Sequence, residues 1–241
     1  MRTRRTSLPV RYRAWAALLL WLVAAPACTA GPDPAAATPA PTTTLITVQI
    51  AGELNLLRPV LAACANKIPG SGLLVFEAAV PELPDSPGEL TLWFGEPPDG
   101  NLQAALLGYD EIVVIASAGG DWDALTEAEF RELYSSGAAP NTAAVWVPQP
   151  GQAARQTLDA WLGGAGYPPE AFLAPNAPAA VDAVTADPSA VAVIPSAWIT
   201  DELKEIYSLG ELPVLALTDQ VPAGMMRELI GCLQVNPVYG E

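Results

Sequence analysis

Along most of its length the chain alternates short β-branched runs with stretches of helical spacing. Residues 45–50 (LITVQI) read as a strand with polar residues at alternate positions, and 73–80 and 89–94 as two more. Between the first and second lies a turn, Ala51-Gly52-Glu53-Leu54-Asn55, then a helix over about 56–66 that Pro69-Gly70 ends. A short helix is expected over 102–107, then a fully apolar strand, Ile112-Val113-Val114-Ile115. The helix over 125–134 carries its own start signal. Thr126 and Glu129 stand at the spacing of a capping box, and Phe130, Leu133 and Tyr134 share one face. Gly137 is its expected stop. A strand over 143–147 leads through Pro148, Pro150 and Gly151 into a helix over 152–162. A helix over 177–186, a strand ending at Pro195, helix or loop over 201–207, a strand over 214–218 and a helix over 222–233 complete the order. No repeat interrupts it. The pattern predicts an α/β fold.

The first residues break this pattern. Arg2, Arg4, Arg5, Arg11 and Arg13 form a basic head without an acid, and twelve apolar residues follow from Ala14 to Ala25. Twelve is short for a membrane span and suits the hydrophobic region of an export signal. Small residues then precede Cys28, as in a bacterial lipoprotein cleavage site where the cysteine receives lipid. An ordinary signal with an incidental cysteine, or an uncleaved anchor, is the alternative. Residues 1–28 are therefore read as a lipoprotein signal and 29–43, rich in Pro, Ala and Thr, as a disordered tether. The implied location is extracytoplasmic, with the membrane held through the N-terminal lipid.

Export changes the charge. The chain has 11 basic and 26 acidic residues, a net charge of −15. Five of the basic residues precede Cys28 and none of the acids does, so cleavage there takes −15 to −20. Such a surface disfavours nucleic acid and anionic lipid, and any anion site must rely on local donors. The chain has no histidine, which removes Ser-His-Asp and Cys-His catalysis and His-based metal sites. There is no P-loop and no dinucleotide fingerprint. No spacing singles out a carboxylate pair for glycoside-type hydrolysis. The expectation is a protein that is not an enzyme, with no metal and no cofactor. Arg155 is the one basic residue at a candidate helix start. Its guanidinium fork suits an oxyanion, and pairing with Asp159 four residues on is the plain alternative.

The central stretch resembles the phosphate-type substrate-binding proteins of bacterial ABC importers. Leu125-Thr126, Phe130 and Leu133-Tyr134-Ser135-Ser136-Gly137 stand where that family has its "LT…L…LF-S-G" segment. Gly151-Gln152-Ala153-Ala154-Arg155 stands at the S-G-T-R anion loop, with Gln152, Ala153 and Ala154 replacing S-G-T. The segment from Asp187 to Pro195 resembles the turn and strand where that family's chain begins its return, Ala192-Val193 replacing Gly-Tyr.

The resemblance implies a two-lobed type 2 periplasmic-binding-protein-like fold with three-layer α/β/α lobes joined by crossover segments. The lobes would be 44–110 with 200–241, and 111–199. It implies a cleft with ligand loops at Gly52-Glu53-Leu54, near Glu96, and at Gly151, Gln152, Ala153 and Arg155. Glu53 stands where a small hydroxyl residue is expected, so it either opposes an anion or merely complements a helix dipole. Because the fold returns both chain ends to one lobe, Cys64 and Cys232 either form a disulfide or are two separate buried thiols. The implied function is capture of phosphate or a similar small oxyanion, by a monomer, for an ABC transporter permease. The alternative is a degenerate relative that keeps the fold as a partner-binding or sensory module. A cleft ringed by N–H groups and Arg155 favours the first; one filled by Glu53, Gln152 and Trp side chains favours the second.

Overall fold

Two long antiparallel strands carry the architecture. In the computed structural model, which describes residues 43–136 and 144–236, β4 (Gln103–Ser117) and β8 (Leu203–Thr218) pair along almost their whole length. On one side of this pair lie β1 (Thr44–Ala51), β2 (Ser71–Ala78) and β3 (Glu89–Phe94). On the other lie β5 (Val145–Pro148), β6 (Phe172–Ala174) and β7 (Val191–Pro195). The eight strands form one mixed sheet in the order β2-β1-β3-β8-β4-β7-β5-β6. The lipoprotein signal, the tether, Cys28 and the helix stop at Gly137 lie outside the described residues.

The sheet has two halves because β4 and β8 change partners along their length. The beginning of β4, Gln103 to Leu106, faces the end of β8, which pairs on its other edge with β3. The end of β4, Ile112 to Ala116, pairs instead with β7. Of three register shifts in the β4–β8 ladder, the one between Leu106 and Gly108 separates these regions, and the other two, at Ile112/Val113 and Val114/Ile115, fall within the second. A bulge adds local twist and bends a strand, so it lets one pair of strands serve two differently oriented halves.

The period of two along β4 explains why its run reads as wholly apolar. Ile112, Val114 and Ala116 pack into one hydrophobic cluster, and Val113 and Ile115 into another. On the first face of the second half sit α2 (Glu127–Ser136) and α3 (Ala153–Leu162), through Phe130, Leu133, Tyr134 and Leu158. On the opposite face sits α4 (Ala177–Ala186), through Ala177, Ala180 and Val184. In the first half, α1 (Arg58–Ala65) and α5 (Gly224–Gln234) lie against the sheet together. Cys64 of α1 and Cys232 of α5 are joined, with their Cα atoms 5.7 Å apart and a separation of 168 positions in sequence.

The expected capping box is present: Thr126 N and Oγ1 donate to Glu129 Oε2 at 2.8 and 2.7 Å, and Glu129 N donates back to Thr126 Oγ1. Two expected elements are corrected. The stretch 102–107 is the beginning of β4, and 201–207 runs into the beginning of β8. Each is held by its partner across the ladder, Ala104 opposite Leu217 and Lys204 opposite Ala116. Tertiary pairing outweighs the weak helical preference of Ala, Leu, Glu and Lys here. The strand β6 was not expected at all; its three residues are too few for a period to show.

Candidate functional site

The candidate site is where β1 ends and α3 begins. After β1 the chain tightens into a 3-10 turn, Gly52–Leu57, before α1 starts at Arg58. Leu54 and Leu57 point into the core, which fixes the turn and leaves the Glu53 side chain directed across the molecule. Its carboxylate is 2% exposed and meets the N-terminus of α3. Ala153 N donates to Oε2 at 2.8 Å and Ala154 N donates to Oε1 at 2.9 Å.

Those two N–H groups are among the unpaired donors that every helix start leaves behind. The residue before them, Gln152, is extended and makes no side-chain cap. Its amide is used elsewhere: Oε1 accepts from Gln149 N at 3.2 Å and Nε2 donates to the Pro175 carbonyl at 3.0 Å. Glu53 therefore caps α3 from a hundred residues away, and the positive end of the helix dipole faces its carboxyl group. This is the arrangement by which a helix start holds a phosphate, with a side chain in the anion's place.

Two further groups complete the surroundings. Trp198 Nε1 donates to the Glu53 carbonyl at 2.9 Å. Asp110 of β4, 4% exposed, accepts at Oδ1 from Ser196 Oγ at 2.6 Å, Ala197 N at 3.2 Å and Glu111 N at 2.9 Å. Its Oδ2 has no hydrogen-bond partner among the described residues. Burial pushes the Glu53 carboxyl up to about 7, against the opposing pull of the Ala154 and Ala153 N–H groups, and the nearby Asp110 adds to the rise. Burial raises Asp110 as well, against its hydrogen bonds to Ser196, Ala197 and Glu111.

Among the described residues, the hollows beside Glu53 leave no room for a second anion while it is in place. Two hollows flank its side chain, each of about 10 Å³, one toward Asn176 and Pro195 and one toward Trp93 and Phe94. Each is about the space of one water. A wider hollow of about 310 Å³ lies apart from Glu53, between Gly119, Gly120, Asp121 and Trp122 and the Pro188-Ser189 turn, and no basic residue lines it.

Of the residues expected to form the cleft, Glu53, Gln152 and Ala153 come together. Gly151 is also there, at φ +93° in the turn that delivers the helix start. Gly52 is buried in the turn, and Leu54 is a core residue. Glu96 is exposed, and its carbonyl accepts from Trp93 Nε1 at 2.9 Å. Arg155 is engaged away from the Glu53 carboxylate. Its Nε donates to Asp159 at 3.1 Å and its NH1 to the Pro148 carbonyl at 3.1 Å, while the guanidinium lies 4.2 Å from the Tyr167 ring centre. The plain pairing with Asp159 is thus the observed one. Trp198 and Asp110 were not expected. Asp110 did carry a signal, an acid at the entrance to an otherwise apolar strand; Trp198 carried none.

No family model matches the chain, and no curated protein is similar to it. Solved structures are similar. A phosphate-bound substrate-binding protein of phosphate-ABC-transporter type from Clostridium perfringens superposes with a TM-score of 0.63 at 13% identity, over 79% of this chain and 93% of that one. The fold is that of the type 2 periplasmic-binding proteins. An ABC-type phosphate transport receptor from Vibrio cholerae gives 0.55 at 13% identity, over 79% and 94%. The regulatory domain of CcmR from Synechocystis, in complex with 2-PG, gives 0.59 at 12% identity, over 80% and 96%. The type 2 architecture is thus shared with solute receptors and with regulatory domains alike.

Proposed function

We propose that the protein is an exported, lipid-anchored, non-enzymatic domain of the periplasmic-binding type that works as a partner-binding or sensory module without a bound solute. One observation carries this reading. Both N–H groups at the start of α3 are spent on the chain's own Glu53 carboxylate. An incoming oxyanion would have to expel a carboxylate whose effective concentration is set by a short tether. It would do so without a cation in the seat, since Arg155 is engaged outside it. The likeness to a regulatory domain is consistent with a fold used to sense.

A second reading is favoured by the two phosphate-receptor neighbours. In it the protein captures phosphate or a similar oxyanion for an ABC permease, and Glu53 is a displaceable occupant. Isothermal titration with phosphate and sulfate at pH 7 separates the two. Under the module reading the protein gives no saturable heat up to millimolar anion. Micromolar phosphate affinity in the unmodified protein would establish the second reading instead. Metabolic labelling with palmitate, lost in Cys28→Ser, tests the anchor.

A further inference from the structure

Glu53 does more than fill a seat, because it ties the two halves of the sheet together. It leaves the end of β1, in the first half, and its carboxylate is held by α3 in the second. Its backbone carbonyl accepts from Trp198, in the 3-10 turn that follows β7. Separating the halves breaks all three bonds at once.

The charge around this tie is unbalanced. On β4, Asp110 brings a second buried carboxylate whose Oδ2 lacks a partner among the described residues. On β2, Glu77 is occupied by Asn55 at 2.7 Å and Arg58 at 3.4 Å. On α3, Arg155 is occupied by Asp159 and Pro148. The turn Ser196–Trp198 and strand β7 contribute no charged side chain, and on β3 Glu89 is bonded to Asp85 N. Glu96, just beyond β3, is exposed. Among the described residues no basic group opposes a charged Glu53, and the two N–H groups and the helix dipole compensate it.

We propose that Glu53 is a proton-linked latch: the halves close on it when it carries a proton taken from solvent, and part from it when it is ionised. This rests on the reading that Glu53 is the occupant of the seat. A carboxyl freed to water has its ordinary value near 4.5, and closure lifts it to about 7. The closed state therefore binds the proton more tightly, and closing is favoured as pH falls through 7 toward 4.5. The advantage is absent at pH 8. Across that window the closed-to-open ratio changes on the order of a hundredfold, at tenfold for each pH unit of separation.

Amide exchange of the full chain, read by mass spectrometry on peptides covering 152–158 and corrected for intrinsic rate, tests this in phosphate-free buffer. The expected result is protection at Ala153 and Ala154 at least tenfold lower at pH 8 than at pH 5. In Glu53→Gln that dependence disappears. In Asp110→Asn, which keeps an acceptor for Ser196 and Ala197, it moves to lower pH because the like charge is gone. Equal protection at pH 5 and pH 8 in the unmodified protein, or an undiminished dependence in Glu53→Gln, overturns the latch; if Glu53→Gln does not fold, an unmoved dependence in Asp110→Asn does so. Failure of the module reading shows separately, as phosphate added at pH 8 changing protection of the same amides.

Discussion

Glu53 Oε2 lies 2.8 Å from Ala153 N, a hundred residues away in sequence, and this bond with its neighbour to Ala154 fastens the end of β1 to the start of α3. Replacing Glu53 with Ala leaves two buried donors unsatisfied, at about 1–3 kcal/mol. The pH dependence has a definite sign. The folded value, about 7, lies above the unfolded 4.5, so the stability that the protonated group contributes is complete below 4.5 and is lost as pH rises through 7. Denaturant melts of Glu53→Ala against the unmodified protein should show the larger loss at pH 5 and the smaller at pH 8. A cost that grows with pH would contradict this account.

Arg155 is where the expected ligand grip is absent. Its guanidinium is spent on Asp159, the Pro148 carbonyl and the Tyr167 face, and the Tyr167 hydroxyl donates to Asp159 in turn. Asp159 is half exposed, so solvent screens the pair. Arg155→Ala should therefore cost about 1 kcal/mol in urea unfolding, mostly from the ring contact and the carbonyl bond. Anion titrations should give the same result in this variant as in the unmodified protein. A change in phosphate affinity would return Arg155 to the site.

How much of this was legible beforehand depends on how local each cause is. The Thr126–Glu129 box, the apolar β4 run and the helix face of Phe130, Leu133 and Tyr134 are set by neighbours in sequence, and each stands where the pattern puts it. The beginnings of β4 and β8 were misread because residues 103–106 are strand only against 215–218, and 203–207 only against 114–117, partners more than 80 residues away in sequence. The site shows the same division. Glu53 and Gln152 were marked as anomalous for an anion loop. That Glu53 satisfies the very N–H groups an anion would use depends on a contact spanning 100 residues, which no spacing encodes.

Gly151 sets the direction in which α3 begins. Its φ of +93° is outside the range an L-residue adopts easily, and a Cβ there would come within 2.4 Å of Val80 Cγ2. Val80 is exposed and its methyl can turn away, so backbone strain supplies most of the penalty. Gly151→Ala should cost about 1–3 kcal/mol. It should also lower exchange protection at Ala153 and Ala154 more than at residues of α5, which is far from this turn in sequence and packs in the other half. A uniform loss of protection would show that the turn has no special hold on the helix start.

The Cys64–Cys232 bridge joins α1 to α5 and closes a loop of 168 residues. Chain-entropy reasoning gives such a loop about 5 kcal/mol, and measured losses for native bridges run at about 2–5 kcal/mol. Cys64 is 1% exposed within the core and Cys232 is half-buried, so a reductant can approach the bond only from the Cys232 side. Thiol trapping under native conditions should accordingly be slow and should accelerate with denaturant. The double variant Cys64→Ala, Cys232→Ala should unfold at lower denaturant with a larger m-value, because its unfolded chain exposes more surface. The bond acts within the first half of the sheet, so the pH response of Ala153 and Ala154 exchange should survive its removal. If reduction abolished that response, α1 and the turn before it would be coupled to the bridge, and Glu53 would be held in place by the disulfide as well as by α3.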